Sequence, residues 1–417
     1  MAESKLFVKK CVLIPDEGGK SSLKEPQNIT AGVTNIDYFE SLLSPTIELK
    51  VTFVDVDQLI GRLGVTGGEY IDLTILYGDG DQTEFKIRAE DHKLILNSVR
   101  DLVTDFNKQV ATLEFVSVEQ YVNQTARVNQ KYTGNITETV KKLLKDPTAI
   151  GTKKNLDSDK AANSYSFVGN LNHPFETVQW LCPKTQASKD SFGFLFYETF
   201  DGYNFKSIKS LLEQDSIEYK QSNTTLESEA MILDSNLNET NDIGMNLKTG
   251  MYANRTIYID IENQTLKEVD FKIDDLNIEN RPKLGNKLDE IPTRLMLSIS
   301  DVGVSQKGSE RKDKQPASEL DEYKNKSYIR NNLLFSQSLS ISIPLNTNLR
   351  AGLVIDVKLP LKQGTDGDEK VDSYGSDRTN DSSGRYLIFE LRHIMAGGKS
   401  ETQLKLIRDV TTVWQNA

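Results

Sequence analysis

The sequence predicts a mainly β protein carrying an inserted α+β part. Three observations support this. One strand pattern occurs twice, as Gly68-Glu69-Tyr70-Ile71-Asp72-Leu73-Thr74-Ile75 and as Gly352-Leu353-Val354-Ile355-Asp356-Val357-Lys358-Leu359. Apolar residues two apart dominate both ends of the chain, which is the period of a strand with one buried face. Helical spacing with capping residues occurs mainly in the middle.

Taken in order, Ile47, Leu49, Val51 and Phe53 alternate before the first copy, and Leu339, Ile341, Ile343 and Leu345 before the second. The repeat therefore covers a two-strand unit, and a β module used twice suggests a symmetric or pseudo-symmetric assembly. After the first copy, Gly78-Asp79-Gly80-Asp81 makes a hairpin turn into Phe85 and Ile87. Leu94 to Phe106 has apolar residues at helical spacing, but the Asn107-Lys108-Gln109 turn and the run Val110 to Val116 make it half of a hairpin. Near Tyr121 the character changes. Asn135-Ile136-Thr137 caps a helix whose Ile136, Val140, Leu143 and Leu144 form one stripe ended by Asp146-Pro147. A second helix starts at His173-Pro174, with Phe175, Val178 and Leu181 inward. Phe194 to Glu198, Asp201-Gly202 and Tyr203 to Phe205 form an aromatic hairpin, and Ser207 to Glu213 is helical. Strand-like runs return between Leu226 and Lys272. Two polar stretches, Ser305 to Lys326 and Lys362 to Ser383, lack a core-forming pattern and are expected as mobile loops. Leu387, Phe389 and Leu391 then point one way, Gly397-Gly398 turns the chain, and Leu404 and Leu406 close the last strand.

A chain of 417 residues suggests roughly two to four domains. No apolar run approaches the roughly 20 residues needed to cross a bilayer, and Met1 to Lys10 has no apolar segment of signal type, so synthesis and retention in a cytoplasm are expected. Cys11 and Cys182 stand far apart in unlike contexts, which indicates neither a disulfide framework nor a thiolate metal site. A net charge of −11 argues against a protein that grips nucleic acid.

Candidate chemistry is sparse. His92, His173 and His393 are each isolated from ligand-spaced partners, which favours structural roles. Asp55 and Asp57 share a strand face as catalytic carboxylates could, yet surface acidic pairs are far commoner. No nucleophile elbow, phosphate loop or zinc-helix motif occurs, so no catalytic, cofactor or metal site is assigned and no enzyme is expected. The aromatic cluster Trp180, Phe192, Phe194, Phe196, Tyr197, Phe200, Tyr203 and Phe205 reads as a core, with the face of Tyr197 and Tyr203 left for a partner.

Several stretches resemble, in order, the central baseplate hub protein of contractile-tailed bacteriophages: Ile36 to Pro45, Gly134 to Leu144, Gly193 to Phe205, Leu349 to Pro360, Ser383 to Ile388 and Gln403 to Asp409. The resemblance implies two tail-tube-like antiparallel β-barrels plus an inserted α+β domain. The first barrel would span residues 1–120 and the α+β domain 121–222. The second barrel would combine 223–275 with 328–413, around an insertion at 276–327 that carries the mobile charged loop. It further implies a homotrimer whose six barrels form a pseudo-hexameric ring, with a tail tube protein above, a tail-spike protein below and other baseplate proteins around it. DNA would pass the lumen without specific binding, past carboxylates on the inner face. The expected location is the virion tail. A secretion-system spike component, a carbohydrate-binding adhesin using the aromatic hairpin, and a cell-wall-cleaving enzyme are the competing readings.

Overall fold

The computed structural model describes residues 6–16, 23–55, 65, 67–78, 83–105, 108–188, 191–221, 230–240, 242–261, 264–276, 288–299, 317–359, 382–397 and 399–409. The fold is mainly β with a few helices. Strands β1 (Phe7–Ile14), β2 (Val33–Ser41), β3 (Glu48–Asp55), β4 (Tyr70–Tyr77), β5 (Thr83–Ile87), β6 (Leu94–Asp105) and β7 (Lys108–Ser117) come first. Helices α1 (Glu119–Thr125), α2 (Ile136–Lys145) and α3 (Pro174–Leu181) follow, then the hairpin β8 (Phe194–Thr199) and β9 (Gly202–Ser207), helix α4 (Ile208–Leu212) and strand β10 (Ser216–Lys220). Next are β11 (Asp234–Thr240), α5 (Ile243–Thr249), β12 (Ala253–Asp260), β13 (Thr265–Lys272), β14 (Arg294–Ile299) and α6 (Ala317–Leu334). The chain closes with β15 (Gln337–Pro344), β16 (Val354–Lys358), β17 (Gly384–Ala396) and β18 (Lys399–Arg408).

One large sheet runs β11-β15-β18-β17-β2-β3-β7-β6-β4-β1, with β16 beside β17, β10 beside β16 and β5 beside β4. A five-strand order is written twice within it. In the first half β2-β3-β7-β6-β4 are neighbours, and in the second half β11-β15-β18-β17-β16, every pairing antiparallel. The repetition extends to single residues. A β-bulge lies between Leu96 and Ser98 in β6, and another between Ile388 and Glu390 at the matching place in β17. Gly68 and Gly352, at φ 97° and 92°, hold the left-handed region that suits glycine. Their N–H groups donate to the matching carbonyls of Leu96 at 3.0 Å and Ile388 at 2.9 Å. The halves differ at their next strand, because β1 runs antiparallel to β4 whereas β10 runs parallel to β16.

The two halves meet where Glu390–Ala396 of β17 pairs with Asn35–Ser41 of β2. Beneath this continuous sheet lies one apolar cluster drawn from both halves, including Leu49, Val51, Leu113, Ile341, Ile343 and Leu404. The alternation read from the sequence is what buries these side chains on one face. In β17 that alternation breaks. Leu387 and Phe389 pack with Leu195 and Ile208, while Ile388 and Leu391 enter the main cluster, so the three residues expected on one face are divided. The bulge adds one residue to the strand and moves everything after it to the other face.

The middle segment forms its own core from Val140, Leu143, Val178, Leu181, Phe194, Phe196 and Phe205. Its helices begin as their caps predict. Asn135 Oδ1 accepts from the Thr137 N–H at 3.0 Å, and Pro174 opens α3. Leu94–Asp105 is a strand, as its turn-flanked position suggested. Strands β12 and β13, within the strand-like runs expected between Leu226 and Lys272, do not join the large sheet; β12 pairs with β13 on one side and β14 on the other in a sheet of three. The loop expected over Ser305 to Lys326 is helical from Ala317 onward, within α6. Its buried face escapes an apolar pattern because Asn325 and Ser327 help build it, with Asn325 donating to Thr256 Oγ1 at 2.9 Å and Ser327 to the Pro183 carbonyl at 3.0 Å. Residues 305–316, and 362–381 of the second expected loop, lie outside the described residues.

Candidate assembly surface

The face of the large sheet opposite the core is polar. On β3, Glu48, Lys50 and Thr52 alternate with buried Leu49, Val51 and Phe53; on β7, Thr112 and Glu114 do the same. Lys50, Arg100, Arg392 and Lys405 each have a carboxylate here. Lys50 Nζ lies 3.0 Å and Arg100 Nε 2.8 Å from Glu114, Arg392 Nη2 lies 3.1 Å from Asp37, and Lys405 Nζ lies 3.6 Å from Glu390. Burial pushes the Glu114 carboxyl up, but hydrogen bonds from Ser98 and Lys50 outweigh it and hold the group below its ordinary range. Along the joint between the halves, the Phe39 ring is flanked by Lys50 at 5.6 Å and Arg392 at 5.4 Å. A trough of about 520 Å³ runs over this joint, with Phe39, Glu48, Ser340, Glu390, Arg392 and Lys405 among its walls. Chemically this face is a row of satisfied ion pairs, with carboxylates and cations interleaved.

A second polar group lies buried where the middle segment meets both halves. Glu40 accepts from the Tyr38 hydroxyl at 2.7 Å, the Phe200 N–H at 2.8 Å and the Ala351 N–H at 2.8 Å, so one carboxylate ties the first half, the aromatic hairpin and the second half together. Burial raises its pKa to about 7 despite the nearby Arg350 charge. Glu198 accepts from the Ser117 hydroxyl at 2.6 Å and the Ile47 N–H at 3.1 Å, and its other oxygen meets Lys154 at 2.6 Å. Lys154 also reaches Glu119 at 2.8 Å. Burial works to discharge Lys154, but Glu198 and Glu119 together raise its pKa. Both oxygens of Glu198 therefore have a protein donor, which suits an anchor. The sequence did signal Glu198: it shares strand parity with Phe194 and Phe196 and so falls on a buried face. Glu40 and Lys154 carried no comparable signal.

The residues weighed from the sequence are dispersed. His92 packs 4.4 Å from the Phe200 ring, and burial lowers its pKa. His173 precedes α3 and lies 2.7 Å from the Asn123 carbonyl through its Nδ1. His393 is fully buried, stacks on Tyr38 at 5.8 Å, and has Nδ1 2.9 Å from the Thr402 hydroxyl. Asp55 is buried, and Asp57 lies outside the described residues, so their pairing cannot be drawn. Among the described residues no group of three His, Cys, Asp or Glu side chains is placed to hold a metal. Cys11 and Cys182 are buried free thiols, each pushed up to about 12 by burial. The aromatic hairpin is buried on both faces, since Tyr197 and Tyr203 are 2% and 1% exposed, whereas Trp180 of the expected cluster is 40% exposed. The face expected for a partner is thus covered: Tyr197 packs with Leu42 and Val354, and Tyr203 stacks on Phe196 at 5.7 Å.

No protein-family model matches the chain, and no curated protein matches its sequence. Solved structures do match its fold. A tail protein from Neisseria meningitidis MC58 superposes with a TM-score of 0.55 at 12% identity, over 98% of this chain and 98% of that one. The 43 kDa tail protein of prophage MuSo2 from Shewanella oneidensis gives 0.50 at 9% identity, over 97% of this chain and 99% of that one. The chain therefore has, end to end, a fold found in phage tail proteins.

Proposed function

We propose that this chain is a structural hub subunit of a phage tail baseplate. Three copies form a ring of six similar β modules, which joins a six-fold tail tube to a three-fold spike and lets DNA pass. The observation that supports this reading most is the doubled strand order, with its matching bulges and its glycines at matching φ. A module repeated within one chain provides six equivalent walls from three subunits, which is how a three-fold object can meet a six-fold one. Each module would close as a tube-type barrel in the assembly. The first module covers residues 1–120 and the α+β part 121–222. The second module is built around β11 and β15 to β18, with β12 to β14 and α6 inserted in it.

The polar face with its paired charges is assigned to the lumen. Phosphate is held by clustered unpaired Lys and Arg, and here Lys50, Arg100, Arg392 and Lys405 already have carboxylates. The wall expected from the acidic composition is thus better described as charge-balanced than as uniformly acidic. The test is mass in solution by sedimentation, followed by negative-stain imaging. Trimers showing a central hole of tube width are the expected result; particles of one copy at every soluble concentration would count against the ring.

A further inference from the structure

Glu40 joins three parts of the chain through one buried carboxylate. It stands in β2, 2% exposed, opposite Leu391 of β17. The Phe200 N–H reaches it from the turn between β8 and β9, and the Ala351 N–H from the loop before β16, each at 2.8 Å. The Tyr38 hydroxyl is its third donor, from β2 itself. Arg350 favours its charged form from nearby, but the guanidinium directs its own hydrogen bonds elsewhere. It donates to the Thr347 and Leu349 carbonyls at 2.6 and 2.8 Å and to Asp201 at 2.9 Å, and it lies 4.9 Å from the centre of the Phe200 ring. The carboxylate is thus held by neutral donors from two loops, and the bridge between those loops, Arg350 to Asp201, is largely open to water at its Asp201 end.

Two clefts share Asp201 as a wall. One of about 350 Å³ also touches Tyr197, Arg350 and Ala351, and one of about 200 Å³ touches His92, Lys154 and Phe200. Solvent therefore stands next to both loops that cover Glu40. A carboxyl shut away from water resists ionisation, and one that water reaches regains its ordinary acidity. We propose that Glu40 is a proton-operated clasp: with its proton it keeps the hairpin turn and the Arg350 loop seated on the joint between the halves, and without it the two loops lift and admit water.

The sign follows from the two environments. Seated, the carboxyl is pushed by burial from 4.5 to about 7. Seating the loops takes up a proton between those values, so the clasp is fully effective below the lower one and is lost as pH rises through the upper one. Neighbouring groups act in the other direction. His92 packs 4.4 Å from the Phe200 ring and His393 stacks on Tyr38, and burial holds both imidazoles below their ordinary range, so exposing either favours opening in acid. From β8, Tyr197 and Glu198 complete the ionisable groups around Tyr38 and Glu40. The clasp lies within one chain and is independent of the ring.

Hydrogen exchange in the full chain, resolved at the Phe200 and Ala351 amides, tests this against Glu40→Gln. The variant cannot ionise at this position. Its amide NH2 faces one of the N–H donors, which adds a penalty that is constant with pH, and dividing parent by variant also cancels the two histidines and the intrinsic chemistry of exchange. The opening constant of the parent relative to the variant should rise roughly fiftyfold from pH 5 to pH 8. At each pH these two amides should also exchange at least about a hundredfold faster than amides inside β3 and β7, as local opening requires. Tyr38→Phe is a second variant that keeps the carboxyl. It removes one donor to the charged form, so the rise in opening should level off at a higher pH than in the parent. A parent-to-variant ratio that is constant with pH, or a Tyr38→Phe profile that levels off where the parent does, would overturn the proton linkage. Phe200 and Ala351 amides as protected as those of β3 and β7 would overturn the clasp, because only global unfolding would then release Glu40.

Discussion

Two buried titratable residues, 2.7 Å and one stacked ring apart through Tyr38, set opposite pH dependences. His393 is held neutral by burial, with the Arg350 charge adding to the effect, and its pKa falls from 6.5 to about 3. Between those values the unfolded chain takes up a proton that the folded chain refuses, so this residue's contribution is lost as pH falls through the window. Glu40 acts the other way. Its pKa is raised by burial to about 7, so its contribution is greatest below its ordinary value of 4.5 and is lost as pH rises toward 7. A comparison of variants separates the two. His393→Leu removes the titrating imidazole, and the Thr402 oxygen still accepts from the Asn346 N–H at 3.0 Å. Urea unfolding at pH 7 and pH 5 should show the parent losing about 2 kcal/mol relative to the variant over that interval. A constant difference between the two proteins would mean that His393 titrates alike in the folded and unfolded chains.

At the scale of elements, the middle segment is held to the first half by Lys154, which lies between Glu119 of α1 and Glu198 of β8. Removing one member of a buried ion group leaves uncompensated charge, and here Lys154→Met would leave two carboxylates facing each other. The expected loss is about 3–5 kcal/mol in denaturant unfolding. Adding Glu119→Gln and Glu198→Gln should return much of it, and a triple variant no more stable than the single one would show that packing around the lysine stem was the larger effect. The same group shows where sequence patterns run out. Helices α2 and α3 and the aromatic hairpin were legible, since caps and apolar periodicity act locally. The bulge that divides Leu387 from Leu391 was not, because it is fixed by pairing with β18 across the sheet. Nor was α6, whose inward positions include Asn325 and Ser327 and whose stability therefore depends on distant partners such as Tyr258, 2.6 Å from Asn325.

For the whole molecule, the legible signal was the Gly-x-x-Ile-Asp repeat, and it marks the last strand of the five-strand order in each half. What could not be read was how far the likeness goes. Leu96 and Ile388 have unlike neighbours in sequence, yet both sit one residue before a bulge and both accept from the left-handed glycine. Those matches arise from backbone geometry, which tolerates many side chains. The polar face offers the corresponding prediction at this scale. If it lines a passage for DNA, its ion pairs keep phosphate from sticking, and freeing its cations should make the wall adhesive. Glu48→Lys with Glu390→Lys adds two lysines to the trough in each copy and leaves Lys405 without its carboxylate. Assembled rings of this variant should retain duplex DNA at low ionic strength and release it steeply as salt rises, because binding would come from counterion release. Parent rings should let the same DNA run free in a gel-shift measurement. Retention by the parent equal to that of the variant would remove the charge-balanced face from the lumen and require another surface of the sheet to line it.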